Sequence, residues 1–122
     1  MPYRALVVED DPSIRKLVEK LLARRMAAVD TVADGRTAIE KLRTRRYSVI
    51  VLDLMLPEMD GFQVIDYVKR EHDGTPIAVV SALSQETLAH LDRDVVKLVI
   101  AKPFDVDEFT KAIFALIEKA EG

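Results

Sequence analysis

Residues 49–61, with the sequence VIVLDLMLPEMDG, carry the strongest indication of how this chain folds. The first four are apolar and mostly β-branched without polar alternation, which is typical of a parallel strand covered on both faces. Asp53 follows this strand directly, and Pro57 and Gly61 indicate a loop before the next helical pattern. Ligands of open α/β sheets bind outside the carboxyl ends of the strands, so Asp53 is a candidate functional residue. A lone aspartate here is more often a turn former, and its interpretation depends on what ends the other strands.

The composition is that of one ordinary globular domain. The chain has 122 residues, of which 49% are hydrophobic and 32% charged, and its formal net charge is -3. The mild acidity argues against a nucleic-acid partner, and the absence of cysteine excludes disulfides and thiolate metal sites. No apolar run reaches membrane-spanning length and the N-terminus has no signal-peptide pattern, so we expect a cytoplasmic protein without a membrane partner.

Apolar runs that predict strands recur along the chain, at residues 5–8, 27–32, 49–53, 77–81 and 98–101. A helical pattern follows each run, and strands that alternate with helices indicate βαβ units with right-handed connections. The predicted fold is therefore α/β and flavodoxin-like, a doubly wound five-stranded parallel sheet of order 2-1-3-4-5 with five helices.

Several local features refine this prediction. Asp11 followed by Pro12 indicates the cap and first residue of the first helix, and Asp34-Gly35 indicates a turn. The third helix is expected after Gly61 and the fourth over residues 85–93. Their inward apolar side chains are predicted to be Phe62, Ile65, Val68, Leu88 and Leu91.

Polar residues end four of the predicted strands, and we expect them to meet at one edge of the sheet: Glu9, Asp10, Asp53, Ser81 and Lys102. Each has an ordinary explanation, such as helix capping by the acidic residues or a polar end to a strand. Their combination is harder to obtain by chance. The carboxylates repel one another, and a hard divalent cation bound by oxygen ligands, Mg²⁺ or else Mn²⁺, relieves that repulsion.

The same group of residues predicts phosphoryl chemistry. A carboxylate such as Asp53 can accept a phosphoryl group as an aspartyl phosphate, which needs mainly positioning and charge neutralisation. The Lys102 ammonium is a compact positive charge for this purpose, and the Ser81 hydroxyl supplies a hydrogen bond.

Four segments of the chain resemble the receiver domains of response regulators in two-component signalling. They are residues 6–11 (LVVEDD), 51–61 (VLDLMLPEMDG), 80–82 (VSA) and 102–104 (KPF). The resemblance implies a CheY-like fold over a single receiver domain, residues 1–122, in which Asp53 accepts a phosphoryl group from a histidine kinase phosphohistidine. It also implies a metal site formed by Glu9, Asp10, Asp53 and the backbone carbonyl of Met55, with Ser81 as switch hydroxyl and Lys102 paired with the phosphate.

The resemblance further implies a signalling switch, not an enzyme acting on a separate substrate, that catalyses its own phosphorylation and slow dephosphorylation. We expect a stand-alone response regulator whose partners are a sensor histidine kinase and an output protein bound at the face of helix 4, strand 5 and helix 5. The alternative is a phosphorelay intermediate or phosphate sink that exchanges phosphate with a histidine phosphotransfer protein.

The sequence departs from the family at Val99, where Tyr or Phe is usual, and this departure disfavours signalling by an aromatic swing. Apolar residues at Met55 and Leu83 predict slow loss of phosphate, because they do not orient an attacking water. Met55 also disfavours a haloacid-dehalogenase-type phosphatase, which has a second acid there. The acidic loop after the first strand disfavours a flavodoxin-like FMN carrier.

Overall fold

A computed structural model describes residues 3–56, 60–72 and 74–121. Within these ranges, strands and helices alternate along the chain. The strands are β1 (Arg4–Val8), β2 (Ala28–Val32), β3 (Val49–Leu52), β4 (Ile77–Ser81) and β5 (Val96–Ala101). The helices are α1 (Pro12–Ala23), α2 (Gly35–Thr44), α3 (Gly61–Glu71), α4 (Gln85–Leu88) and α5 (Val106–Glu121). In this part of the chain, none of the helices combines the length and the apolar character needed to cross a bilayer.

The strands form one parallel sheet in the order β2-β1-β3-β4-β5, which confirms the predicted fold. The strand bounds differ from the predicted ones by at most two residues, and those of β4 agree; Pro57 lies outside the described residues. The central strands β3 and β4 are buried throughout, whereas β2 is mostly half-buried at the sheet edge. The direction of winding changes between β1 and β3, so the crevice at their carboxyl ends is the expected ligand site.

Alternate residues of each central strand belong to two separate cores. Leu6 and Val8 pack on one face with α2 and α3, and Ala5 and Val7 pack on the other with α1 and α5. Helices therefore cover both faces, which explains why these strands are continuously apolar. Each fully buried aliphatic or aromatic side chain contributes roughly 1.5–3 kcal/mol relative to exposure.

Capping aspartates begin the first two helices. The Asp11 carboxylate accepts hydrogen bonds from the backbone N–H groups of Ser13 and Ile14, and Pro12 is the first helical residue, as predicted. The prediction of a turn at Asp34-Gly35 is wrong. Asp34 is extended and caps α2 through a 2.7 Å bond from the Thr37 N–H, and Gly35 is the first residue of that helix. An aspartate before a glycine is typical of a turn and also of the N-cap of a helix, and the helix that comes next decides between the two.

The inward position predicted for Phe62 is also wrong. Phe62 is 40% exposed, and Val64 joins Ile65 and Val68 on the face of α3 that meets the sheet. At 100° per residue, Phe62 lies at the margin of the face that Val64, Ile65 and Val68 share.

Helix α4 is shorter than predicted, although Leu88 and Leu91 are buried as expected. The N–H groups of His90 and Leu91 bond to carbonyls three residues back, so the helix gives way to tighter turns. The Asp92 carboxylate then accepts the backbone N–H of Asp94, a local bond that competes with helical bonding.

We predict that Asp34→Ala lowers the free energy of unfolding by about 1 kcal/mol at pH 7, because α2 loses its N-cap. The hydrogen bonds from Thr37 hold the pKa of the Asp34 carboxyl below its usual value. Its ionisation therefore stabilises the fold above the ordinary pKa, and this contribution disappears as the pH falls through the lowered one. Denaturation at pH 7 and near pH 2.5 measures both effects, and Asp34→Asn keeps a capping oxygen without the titration. If Asp34→Ala lowered the free energy of unfolding equally at the two pH values, the predicted contribution of the Asp34 charge would be contradicted.

Candidate functional site

Main-chain hydrogen bonds beyond the ends of the strands bring the acidic residues together. The Asp53 N–H donates to the Val8 carbonyl at 3.0 Å, and the Glu9 N–H donates to the Val32 carbonyl at 3.1 Å. The parallel ladder thus continues one residue past β1 and β3. Glu9 and Asp53 therefore leave neighbouring strands at the same edge of the sheet, where the sequence predicted them.

Glu9, Asp10 and Asp53 form a cluster in which one carboxylate oxygen of each lies within 4.8 Å of the others. Glu9 and Asp53 are only 4% and 6% exposed, whereas Asp10 is exposed. Two buried carboxylates side by side are unfavourable unless positive charge offsets them. The arrangement of these carboxylates therefore favours a cation beside them.

Lys102 supplies part of that positive charge. Its Nζ donates to Glu9 Oε1 at 2.6 Å and to Asp53 Oδ2 at 3.0 Å. Its backbone N–H donates to the Ser81 carbonyl at 3.0 Å, and the Lys102–Pro103 peptide bond is cis. Burial acts to lower the pKa of the Lys102 ammonium, but the bonds to Glu9 and Asp53 outweigh it and raise that pKa above its usual value.

Glu9 is held at both carboxylate oxygens. Oε1 accepts from Lys102, and Oε2 accepts the Asp11 backbone N–H at 3.1 Å. Burial nevertheless raises the pKa of the Glu9 carboxyl above its usual value, and the negative charge of Asp53 acts in the same direction. The favourable effect of Lys102 on the ionised Glu9 carboxylate therefore does not fully offset the cost of burying it.

Both oxygens of Asp53 also have a partner. Oδ2 accepts from Lys102, and Oδ1 accepts the Met55 backbone N–H at 3.2 Å. The Met55 side chain itself is 60% exposed. The sequence-based role of the Met55 carbonyl as a metal ligand stays a prediction.

Ser81 ends β4 at the same edge and is fully buried. Its Oγ accepts the Leu83 backbone N–H at 3.2 Å. Among the described residues it makes no hydrogen bond to the three carboxylates. The structure therefore brings Lys102 into contact with Asp53, whereas the described contacts of the Ser81 hydroxyl do not include that carboxylate.

The donor set fits a hard divalent cation such as Mg²⁺. All three side chains of the cluster offer oxygen, and Mg²⁺ prefers carboxylates together with water. Glu9, Asp10 and Asp53 are the residues that would hold it.

Two residues that shape the site were missed from the sequence. Arg15 in α1 donates from Nη1 to the backbone carbonyls of Glu9 at 3.0 Å and Asp10 at 3.3 Å. Gly61 begins α3 so close to the chain after Asp53 that a Cβ there would lie 2.6 Å from Leu54 Cα. The sequence marked Gly61 only as part of the loop before the third helix, and Arg15 gave no signal.

The receiver domain of response regulators matches residues 5–114 of this chain. The chain belongs to the response regulator receiver family. The acidic cluster and Lys102 thus lie inside the matched receiver domain, and the predicted resemblance is confirmed.

Comparison with individual proteins agrees with this family. The receiver is 38% identical over 115 residues to the transcriptional regulatory protein TcrA of Mycobacterium tuberculosis, covering 93% of this chain and 45% of TcrA. It is 32% identical over 116 residues to the response regulator ArlR of Staphylococcus aureus, covering 93% of this chain and 52% of ArlR. The chain spans about half the length of these relatives.

Solved structures agree with the fold. The chemotaxis response regulator CheY4 of Vibrio cholerae has a TM-score of 0.87 at 28% identity, covering 95% of this chain and 99% of CheY4. The signal receiver domain of a putative Luxo repressor protein from Vibrio parahaemolyticus has a TM-score of 0.91 at 24% identity, covering 99% of this chain and 94% of that one. The second similarity concerns the fold alone.

Proposed function

We propose that this receiver accepts a phosphoryl group on Asp53 from the phosphohistidine of a sensor histidine kinase. The observation that carries the proposal is the fixed, buried Asp53 carboxylate. Its two oxygens are held by the Met55 N–H and the Lys102 ammonium, with Glu9 and Asp10 beside it. A nucleophile held in one orientation needs little reorganisation before it reacts.

In the proposed reaction, an Asp53 oxygen attacks the phosphorus as the bond from phosphorus to the kinase imidazole breaks. The imidazole nitrogen keeps the electron pair of that bond and takes up a proton from water. Lys102 neutralises negative charge at Asp53 throughout. When bound by Glu9, Asp10 and Asp53, Mg²⁺ supplies further positive charge that offsets repulsion between the carboxylate and the phosphoryl group.

Phosphorylation adds about 1.5 to 2 negative charges and several acceptor oxygens to this edge. The Ser81 Oγ accepts the Leu83 N–H, and a hydroxyl that accepts one hydrogen bond can still donate its proton, here to a phosphoryl oxygen. Leu83 and Val99 both pack against the core that includes Leu88. We propose that a shift of Ser81 repacks these side chains and changes the α4–β5–α5 face, without an aromatic residue at position 99. Slow loss of phosphate, inferred from apolar Met55 and Leu83, stays a prediction.

The test is intact-mass spectrometry after incubation with acetyl phosphate and Mg²⁺. We expect one added phosphoryl group on the wild type and none on Asp53→Asn, whose amide is a poor nucleophile. Asp66→Asn is the matched control, because Asp66 is an exposed carboxylate on α3. A phosphoryl group on Asp53→Asn, or its loss from Asp66→Asn alone, would contradict the assignment of Asp53.

The first proposal for how phosphorylation is read out is that the single receiver domain, residues 1–122, binds an output protein. A second rests on TcrA, which is named a transcriptional regulatory protein. In that case the receiver controls a DNA-binding element, and the expectation of no nucleic-acid partner would apply to the surface of the receiver alone. Comparison of DNA-binding and partner-binding readouts with and without phosphorylation separates the two. Transfer of phosphate from Asp53 to a histidine phosphotransfer protein would instead indicate that the receiver is a phosphorelay intermediate or a phosphate sink.

A further inference from the structure

We propose that Arg15 is a positioning residue that sets the geometry of the acidic loop, residues 9–11. This inference rests on the proposed function, because the loop carries two of the carboxylates assigned to the metal site. Arg15 is half-buried on α1, and its Nη1 donates to the Glu9 carbonyl at 3.0 Å and to the Asp10 carbonyl at 3.3 Å. One guanidinium nitrogen therefore bridges two consecutive peptide groups.

The loop is fixed at both ends by other bonds. The Glu9 N–H donates to the carbonyl of Val32 in β2, and the Asp11 carboxylate caps α1. Between these ends, the orientation of the two peptide groups decides where the Glu9 and Asp10 side chains point. A hydrogen bond from a charged donor to a carbonyl is stronger than a neutral one, so the Arg15 bridge opposes rotation of either peptide.

This positioning role and a simple charge effect predict changes of opposite sign. Arg15 is a cation near a site that we assign to a divalent cation, so its charge alone disfavours metal binding. Removal of Arg15 should then tighten the binding of Mg²⁺. If Arg15 positions the carboxylates, its removal should weaken binding, and partners that orient metal ligands commonly contribute about 10-fold to metal affinity.

The experiment is calorimetric titration of Mg²⁺ into the folded, unphosphorylated chain, for the wild type and three variants. We expect Arg15→Met to weaken Mg²⁺ binding about 10-fold. Arg15→Lys should show an intermediate weakening, because an ammonium keeps the charge but lacks the guanidinium geometry. Lys16→Met removes the same charge from an exposed neighbour on α1, and it should not weaken binding.

Unchanged or tighter binding by Arg15→Met would overturn the inference. If Arg15→Met does not fold, Arg15→Lys decides, and wild-type affinity in that variant would overturn it equally. If the wild type binds Mg²⁺ and is phosphorylated on Asp53, and Arg15→Met binds Mg²⁺ as well as the wild type does, only the role of Arg15 is refuted and the proposed function stands. Folded wild-type protein that neither binds Mg²⁺ nor is phosphorylated refutes the proposed function and this inference together.

Discussion

Replacement of Lys102 by methionine is expected to lower the free energy of unfolding at pH 8 by about 3 kcal/mol. Removal of one partner from a buried ion pair leaves an uncompensated charge, and here it leaves two, on Glu9 and Asp53. Phosphorylation by acetyl phosphate should slow by on the order of 100-fold, because a fixed positive group is lost where negative charge accumulates. Chemical denaturation and timed mass spectrometry measure the two effects.

The pH dependence of the Lys102→Met variant has a defined sign. Burial already raises the pKa of Glu9, and loss of the bond from Lys102 removes an influence that lowers it. Protonation of Glu9 then relieves the uncompensated charge, so the gap in stability between the variant and wild type should narrow as the pH falls from 8 to 5. Lys111→Met, on the exposed side of α5, is the matched control. A gap that is constant over this range, or equal to that of the control, would show that Lys102 is not the counter-ion of the buried carboxylates.

Replacement of Gly61 by alanine is expected to lower the free energy of unfolding by roughly 1–3 kcal/mol, as forced overpacking does. A glycine-to-alanine change near a helix start ordinarily stabilises a protein, so the expected sign is reversed here. The added Cβ would lie 2.6 Å from Leu54 Cα and 2.8 Å from the Asp53 carbonyl oxygen. These are backbone atoms, so the chain after Asp53 must move.

That movement should also slow phosphorylation of Asp53, because Gly61 anchors the same loop by a 3.0 Å bond from its N–H to the Leu54 carbonyl. Gly74→Ala is the matched control. Gly74 has a φ of 91°, and within the described part of the chain no atom beyond its own chain neighbours lies within 4 Å of an added Cβ. Its replacement should cost roughly 1–2 kcal/mol of backbone strain and leave phosphorylation at the wild-type rate. Equal phosphorylation of the two variants would argue against a link between Gly61 and the position of Asp53.

The fold was predictable because its signals are local. Strands covered on both faces must be continuously apolar, and residues 49–52 and 77–80 show this without ambiguity. Errors arose where one local pattern suits two structures. Asp34-Gly35 suits a turn or a capped helix, and Phe62 lies at the margin of a helical face. Such cases are decided only by how the surrounding segments of the same chain pack.

The sequence by itself determined which chemical groups meet at the edge of the sheet. Parallel strands joined by helices must present their carboxyl ends at the same edge, so Glu9, Asp53 and Lys102 were expected on one side of the sheet. Only the tertiary structure decided that Lys102 bridges both carboxylates, across 93 positions to Glu9. The tertiary structure also decided that Arg15 bridges two backbone carbonyls and that Gly61 lies close to Leu54. A pattern of residue types specifies strands and their order, whereas a hydrogen bond or a contact of 2.6 Å depends on the placement of single atoms by the whole packed chain.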